Sequence, residues 1–330
     1  MSLRFSHRVY RRPLRTPLRT AHGLWSEREG ILLRAEGTEG VVRYGEVAPL
    51  PDFGTETLEE AREACARLGD TLTASAVSDV PERMTCVRFA LAALLAHEVP
   101  ALPNGERLPV AALLPAGKAV LAALDAKLEA GFLAFKWKVG VARPEEELPL
   151  LDDLLARLPT YAKLRLDANG GWSNRDATRW LEFCAERPVE FVEQPVMDPD
   201  ALLGLAEDYP VKLALDESVT GLAAAREWQA RGWPGVFVIK PALAGPLDEL
   251  VAWADETKPD LVLSSAIESA LARAQILRAA FAERLTTRPL GFGVGEIFGD
   301  PVWDGPVIGP LLDGSWGAQV NPEAQWNAAS

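Results

Sequence analysis

Cysteine is scarce in this 330-residue chain, which excludes a scaffold held together by disulfides. Only three cysteines occur, and no two of them have the spacing of a metal-binding or redox pair. They are Cys65, Cys86 and Cys184. We predict that all three are reduced thiols in the core.

Histidine is equally scarce, and its positions restrict the catalytic chemistry. His7, His22 and His97 all lie in the first 100 residues, ahead of the regular strand and helix pattern described below. A hydrolase triad built on a histidine of that later region is therefore excluded. His22 could reach an active site from a loop, but we favour a surface or structural role for it.

Long apolar runs and an excess of positive charge are also missing. No stretch approaches the roughly 18 consecutive apolar residues of a membrane span, and the first residues show no apolar run of a secretory signal. With 34 basic against 47 acidic residues, the formal net charge of -13 would repel a nucleic-acid backbone. We therefore expect a soluble, cytoplasmic protein that binds neither membranes nor nucleic acid.

The N-terminal part of the chain predicts a small α+β unit. Residues 3–48 alternate apolar and polar side chains with glycines at the breaks, which indicates an antiparallel meander. Helices are predicted over residues 57–68, where Thr57 can cap the first turn, and over 81–97. Turn-forming residues then mark a boundary near residue 100.

Strands and helices alternate strictly after this boundary, as in a parallel sheet. The predicted strands cover residues 110–114, 132–139, 163–167, 190–193, 211–215, 235–239 and 260–264, with a weaker eighth strand in 290–295. The predicted helices cover residues 117–130, 144–157, 174–187, 199–207, 221–231, 246–257 and 268–284. We assign residues 1–100, with a contribution from a tail of about 290–330, to a capping domain and residues 101–290 to a barrel.

Five charged residues stand at the ends of five successive predicted strands. They are Lys138, Asp167, Glu193, Asp216 and Lys240, separated by 29, 26, 23 and 24 residues. Each step is about the length of one strand, one crossover helix and two short loops, which is the period of a (β/α) barrel. Because such barrels carry their functional groups at the carboxyl ends of the strands, all five side chains should meet at one mouth.

The three carboxylates of this set predict a site for a divalent metal ion. An all-oxygen set of ligands favours a hard cation, Mg²⁺ first and Mn²⁺ as the alternative. Each acid could instead cap the helix that follows it. Their occurrence in three consecutive strand–helix units favours the metal site.

The lysines predict proton transfer beside that metal. Lys136 and Lys138 share one face of their strand, and Lys240 lies four strands further round the ring, so Lys138 and Lys240 should face each other. Two such groups suit removal of the proton α to a carboxylate. The alternative is that Lys136 and Lys138 point outward past the helices.

In these positions the chain resembles the enolase superfamily, and within it the muconate-lactonizing subgroup. The resemblance rests on a Lys-x-Lys pair on the second barrel strand, acids on the third to fifth, and a lysine on the sixth. It covers most of the chain and implies a modified (β/α)7β TIM-type barrel with an N-terminal α+β capping domain. The strings at 45–57, 165–169 and 264–269 are similar to those of ortho-succinylbenzoate synthases of menaquinone or phylloquinone biosynthesis.

This resemblance implies a carbon–oxygen lyase that removes water from 2-succinyl-6-hydroxy-2,4-cyclohexadiene-1-carboxylate by syn elimination through an enediolate. Lys138 is implied as the base that later returns the proton to the leaving hydroxyl, Lys240 as a stabilising cation, and Lys136 as a supporting group. Mg²⁺ is the implied cofactor and a small-molecule carboxylate the implied ligand. Ser264 and Ser265 are implied to line the succinyl pocket, and Arg165 and Asn169 to contact the substrate or to support the residues that do.

Other activities of the same superfamily remain open alternatives. N-succinylamino acid racemases and dipeptide epimerases use the same two lysines and metal. No Asp-x-Asp follows the seventh predicted strand, which disfavours the dipeptide epimerases. A non-catalytic binding barrel is the alternative from another class, and the presence of all five charged residues disfavours it. No pattern in the chain indicates an oligomeric state.

Overall fold

The computed structural model describes residues 2–20, 23–96 and 106–329. The predicted boundary near residue 100 lies outside the described residues, as do His22, His97 and the end of the helix predicted over 81–97.

The N-terminal part of the chain forms an antiparallel sheet with two helices, as predicted. The strands are β1 (Leu3–Thr20), β2 (Gly23–Glu36), β3 (Val42–Val47) and β4 (Thr71–Leu72), and the helices are α1 (Leu58–Arg67) and α2 (Thr85–Leu95). The sheet order is β3-β2-β1-β4. Thr57 caps α1 as predicted: its hydroxyl accepts a hydrogen bond from the Glu60 amide, and the Glu60 carboxylate accepts one from the Thr57 amide.

Eight further strands of the described chain form a parallel, curled sheet, which confirms the predicted barrel. They are β5 (Arg107–Leu114), β6 (Ala134–Lys138), β7 (Lys163–Asp167), β8 (Val189–Glu193), β9 (Leu213–Leu215), β10 (Val236–Ile239), β11 (Leu261–Leu263) and β12 (Leu290–Gly293). The order is β11-β10-β9-β8-β7-β6-β5-β12. A parallel bridge between Ser264 and Gly291 joins the two ends of this path, so the eighth strand is present and the ring is closed.

Helices follow the barrel strands as the sequence predicts. They are α3 (Ala119–Glu129), α4 (Pro144–Arg157), α5 (Asn174–Cys184), α6 (Pro199–Asp208), α7 (Leu222–Ala230), α8 (Pro241–Ala244), α9 (Leu247–Thr257) and α10 (Ala270–Ala282). The sequence pattern does not predict α8, a single buried turn directly after Lys240. Helix α5 ends at Cys184, three residues before the predicted end at residue 187.

The two faces of the barrel strands bury different groups. Outward residues pack on the helices; Trp137 of β6, for example, meets Trp180 of α5 edge to face, with ring centroids 6.3 Å apart. Inward residues fill the barrel with a separate apolar cluster that includes Phe191 and Val238. This packing explains why the strands are nearly continuous apolar runs.

The chain after β12 runs back to the N-terminal sheet. It contains α11 (Pro301–Asp304), β13 (Leu311–Asp313), which pairs with β5, and α12 (Pro322–Ala328). The Arg8 guanidinium donates to the Trp326 carbonyl at 2.9 Å and lies 4.5 Å from the centre of the Trp326 ring. These contacts support the predicted division into a capping domain with residues 290–330 and a barrel of residues 101–290, which stays a prediction.

A buried carboxylate joins the N-terminal sheet to the barrel. Glu46 of β3 accepts hydrogen bonds from the Tyr10 hydroxyl at 2.6 Å and from the Ser269 amide at 3.0 Å, directly before α10. A negative charge is favourable at a helix N-terminus. Gly30 makes room for the Tyr10 ring, because a Cβ at that position would lie 2.5 Å from the Tyr10 hydroxyl oxygen.

The structure also bears on two predictions from composition. All three cysteines are free and buried, which confirms the predicted core thiols. Across the described ranges, no helix combines the length and apolar character needed to cross a membrane.

Candidate active site

The five charged residues singled out in the sequence all lie at the carboxyl end of the barrel. Lys138, Asp167 and Glu193 are the last residues of β6, β7 and β8, and Asp216 and Lys240 directly follow β9 and β10. These five strands are consecutive neighbours in the sheet. The folded chain therefore brings together the groups that the spacing predicts.

Lys136 lies between two of the three carboxylates. Its Nζ is 2.6 Å from Glu193 Oε1 and 2.8 Å from Asp167 Oδ2. Burial acts to lower the pKa of Lys136, but the charges of Asp167 and Glu193 outweigh it and raise the pKa. Lys136 thus points into the barrel mouth, not outward past the helices.

Glu193 is the most enclosed of the three acids, with 1% of its surface exposed. Burial raises its pKa, whereas the nearby Lys136 charge acts in the opposite direction. A carboxylate in this position is stable only with a cation beside it.

Lys240 contacts the third acid. Its ammonium group donates a hydrogen bond to Asp216 Oδ1, and its Nζ lies 4.7 Å from the centre of the Phe53 ring. Phe53 belongs to a short 3₁₀ helix, Pro51–Phe53, of the N-terminal part of the chain. Burial lowers the pKa of Lys240 to about 7, and the positive charge of Lys136 acts in the same direction. The negative charges of Glu193 and Asp167 oppose both.

Lys138 and Lys240 stand on opposite sides of the ring. Lys138 is beside Asp167 in the register of β6 and β7, and β6 and β10 are four strands apart in a ring of eight. Lys138 shares the inward face of β6 with Lys136, because alternate strand residues point the same way.

The donor set fits a hard divalent cation. In the described chain, no group of three or more His, Cys, Asp or Glu side chains is arranged to hold a metal ion; Asp167 and Glu193 contact Lys136 here, and Asp216 contacts Lys240. The ammonium of Lys136 nevertheless shows that oxygens of Asp167 and Glu193 converge on one positive charge. Carboxylate oxygens are the ligands that Mg²⁺ prefers.

Sequence reasoning missed Glu217, the hydrogen-bond partner of Asn169. The Asn169 side-chain amide donates to Glu217 Oε1 at 3.0 Å, and the Asn169 backbone amide donates to Asp167 Oδ1 at 3.0 Å. Burial, together with the charges of Asp167 and Glu193, raises the pKa of Glu217 to about 7. The acidic residue after Asp216 in the Asp-Glu-Ser string was the available signal.

Gln194 is a second residue that the sequence did not single out. It is fully buried; its Oε1 accepts from the Asp216 and Ser218 amides at 3.0 and 3.1 Å, and its Nε2 donates to the Val196 carbonyl at 2.9 Å. Gln194 therefore fixes the loop that carries Asp216 against the loop after β8. Its position next to Glu193 is the only hint in the sequence.

Arg165 lies deeper than a residue that contacts substrate. It is 1% exposed, donates from Nε to Glu190 Oε2 at 2.7 Å, and lies 4.9 Å above the Phe191 ring centre. It shares the inward face of β7 with Asp167 but lies two residues nearer the N-terminal end of the strand, away from the mouth. This geometry favours a supporting role over a direct substrate contact.

Ser264 and Ser265 lie in the loop after β11. Ser264 bridges to Gly291, whereas the Ser265 hydroxyl contacts Glu268 and accepts a hydrogen bond from the Ile267 amide at 3.0 Å. Ile267 has a φ of 61°, which is strained for a β-branched residue. Its carbonyl accepts a hydrogen bond from Arg28 of β2 at 3.2 Å, so the N-terminal sheet holds this loop.

One wall of the mouth is apolar and open. Leu113 of β5 is 43% exposed, although the rest of the strand from Val110 to Leu114 is buried. It is beside Lys136 in the register, so both side chains face the mouth.

Family models match both parts of the chain. The model described as "Enolase C-terminal domain-like" matches residues 119–286, and the model described as "MenC, N-terminal domain" matches residues 8–97.

Relatives with a named activity match over most of their length. The chain is 44% identical over 304 residues to an o-succinylbenzoate synthase of Thermosynechococcus vestitus, covering 88% of this chain and 92% of that protein. It is 31% identical over 282 residues to the enzyme of the same name from Edwardsiella ictaluri, covering 82% and 84%.

Solved structures agree in fold. The o-succinylbenzoate synthase of Thermosynechococcus elongatus, determined with Mg in its active site, superposes with a TM-score of 0.86 at 38% identity and covers 99% of this chain and 100% of that one. The L-Ala-D/L-Glu epimerase of Bacillus subtilis gives a TM-score of 0.80 at 20% identity, with 94% and 95% covered. The second likeness shows the fold alone.

Proposed function

This chain belongs to the o-succinylbenzoate synthase family of the enolase superfamily, and we propose that it removes water from 2-succinyl-6-hydroxy-2,4-cyclohexadiene-1-carboxylate to form o-succinylbenzoate. That reaction is the dehydration step of menaquinone or phylloquinone biosynthesis. The observation that carries the proposal is the barrel mouth, where two lysines from opposite sides of the ring flank three carboxylates.

Asp167, Glu193 and Asp216 are the residues that we assign to a divalent cation. Mg²⁺ is the first choice, since a related o-succinylbenzoate synthase holds Mg in its active site, and Mn²⁺ is the alternative. When bound, such a cation supplies the positive charge that stabilises a substrate carboxylate as its α-proton leaves. Lys136 adds a second positive charge on the same side and orients that carboxylate.

Lys138 is the base in this proposal. Its neutral amine takes the α-proton, which breaks the C–H bond and leaves an enediolate on the substrate. The same proton then passes to the leaving hydroxyl as the C–O bond breaks, and water departs while the ring becomes aromatic. One lysine serves both steps because proton and hydroxyl lie on the same face of the ring.

Lys240 supplies a cation on the other face. Burial lowers its pKa to about 7 in the free protein, whereas the negative charge of the enediolate favours its protonated form. The interaction between the Lys240 ammonium and the substrate is therefore strongest when the enediolate forms. An interaction that strengthens in this way lowers the activation barrier of proton removal.

The substrate ring takes the apolar side of the mouth. Leu113 offers an exposed hydrocarbon surface beside Lys136. Ser264 lies at the edge of this wall and is the candidate for the succinyl arm, while Asn169 supports Asp167 and Arg165 is held by Glu190.

An N-succinylamino acid racemase is the second candidate. The placement of Lys138 and Lys240 on opposite sides of the ring favours it, because racemisation requires a proton to be exchanged on both faces. The dipeptide epimerases are disfavoured by the string Ser-Ser-Ala-Ile-Glu-Ser at 264–269, which holds no Asp-x-Asp to bind an ammonium group.

The test is a ratio of two activities in one preparation. With Mg²⁺ present, kcat/KM for dehydration, followed by the loss of diene absorbance, should exceed kcat/KM for racemisation of any N-succinylamino acid by at least about a hundredfold. That ratio corresponds to roughly 2.7 kcal/mol of transition-state stabilisation. An equal or higher kcat/KM on an N-succinylamino acid would replace the proposed reaction by racemisation.

A further inference from the structure

The loops after β7 and β9 are joined by a direct hydrogen bond although these strands are not neighbours. The Asn169 side-chain amide donates to Glu217 Oε1 at 3.0 Å, and β8 lies between the two strands in the sheet. The bond therefore spans the strand that carries Glu193. We call the pair Asn169 and Glu217 the loop link.

Each end of the loop link is attached to an assigned metal ligand. The Asn169 backbone amide donates to Asp167 Oδ1 at 3.0 Å, and Glu217 directly follows Asp216 in the chain. A change in the loop link would move Asp167 relative to Asp216. We propose, on the basis of the metal site in the proposed function, that Asn169 and Glu217 are positioning residues that hold these two acids at the spacing a divalent cation requires.

A purely structural role does not account for the buried atoms of the loop link. Asn169 has a φ of 46°, and a turn explains that backbone conformation but not the side-chain bond to another loop. Asn169 Oδ1 and Glu217 Oε2 are buried and have no hydrogen-bond partner among the described residues. Buried acceptors without donors are unfavourable. The water molecules of a hydrated cation are donors that would satisfy them.

The test measures Mn²⁺ binding directly, from the electron paramagnetic resonance signal of free Mn²⁺. The variants are Asn169→Gly, which keeps the left-handed backbone accessible, Glu217→Ala, and the two combined. We expect each single variant to weaken Mn²⁺ binding about tenfold, and the double variant to be hardly weaker than either single one, because both remove the same link. Glu227→Ala, an exposed acid on α7, is the matched control for loss of one charge and should bind Mn²⁺ like the wild type.

Other outcomes separate this inference from the metal assignment. Asp167→Asn should abolish Mn²⁺ binding; if it binds like the wild type, the metal assignment fails and the loop link has no ligand to position. If Asp167→Asn abolishes binding but Asn169→Gly or Glu217→Ala binds within twofold of the wild type, the loop link inference alone is overturned. It is also overturned if the losses of the two single variants add up in the double variant, since independent residues add.

Discussion

Two lysines and three acids of the barrel mouth are stabilised by opposite charges. Lys136 contacts Glu193 and Asp167, and Lys240 contacts Asp216. Buried charges need such partners, because removal of one partner leaves the other as an unpaired buried charge, which is strongly destabilising. The paired arrangement lets the mouth keep five charges in a largely buried site.

Replacement of one acid tests the metal assignment. Glu193→Ala should abolish dehydration with the fold intact, because Lys136 keeps Asp167 as a partner while the cation loses a ligand. Turnover with Mg²⁺ and the circular dichroism spectrum should be measured together. Near-normal turnover of Glu193→Ala, or full wild-type activity in excess chelator, would contradict the assignment.

The two lysines should respond differently to substitution. Lys138→Ala should lower kcat by about 10² to 10⁴-fold, the usual effect of losing a general base. Lys240→Arg should retain part of the activity, since arginine still supplies a fixed positive charge. Single-turnover rates should be measured for Lys138→Ala, Lys240→Ala and Lys240→Arg to distinguish the base from the stabilising cation. Substantial dehydration by Lys138→Ala with none by Lys240→Ala would reverse the two roles.

Replacement of Leu113 tests whether the substrate ring packs against this side chain, and the same chain offers a matched control. Leu113→Ala should lower kcat/KM about tenfold, mainly through a higher KM, because apolar contact with the ring is lost. Leu133 precedes β6 at the opposite end of the barrel and is 47% exposed, close to the 43% of Leu113. Leu133→Ala should leave KM unchanged. Equal KM values for both variants would show that the ring binds elsewhere.

Among the elements, the first seven barrel strands were the most predictable and the eighth strand was the least predictable. Apolar runs and their period predict the first seven barrel strands, because a strand buried on both faces has a distinct composition. The eighth strand, β12, is Leu-Gly-Phe-Gly, whose glycines weaken the pattern. The turn α8 was missed because four residues carry no helical period.

The residues of the candidate site likewise fall into a predicted group and a missed group. Spacing along the chain predicts Lys138, Asp167, Glu193, Asp216 and Lys240, since each ends its own strand. Glu217 and Gln194 were missed because their roles depend on contacts between loops, which the linear sequence does not display. Leu113 was missed because an apolar residue in a strand is usually buried.

Gly293 of β12 should be intolerant of any side chain. A Cβ at this position would lie 2.0 Å from the Ala111 carbonyl oxygen, so Gly293→Ala should destabilise the protein by about 1–3 kcal/mol through forced movement of β5. Gly204 lies in α6, and a Cβ added there would meet no atom within 4 Å. Gly204→Ala should instead stabilise by about 0.5–1 kcal/mol. Urea unfolding measures both, and a stabilising Gly293→Ala would contradict the strand geometry.

For the whole molecule, residues of the N-terminal part of the chain contact loops at the barrel mouth. Phe53 lies beside Lys240, Arg28 holds the carbonyl of Ile267, and Glu46 binds the start of α10. Loops after the sixth and seventh barrel strands are thus completed by residues from another part of the chain. The N-terminal part of the chain therefore contributes contacts to the proposed active site that the barrel strands do not supply.

The contact between β1 and α12 has a consequence for the order of events during synthesis. Arg8 and the Trp326 carbonyl that it binds are separated by 318 residues in sequence, so the first strand leaves the ribosome long before its partner exists. At about 5–20 residues per second, roughly 15 to 60 seconds pass in between. Throughout that interval Tyr10 and Leu32 lack Trp303 and Trp326, with which they form one apolar cluster. The newborn N-terminal sheet therefore exposes an apolar face until the residues around Trp303 and Trp326 have been translated.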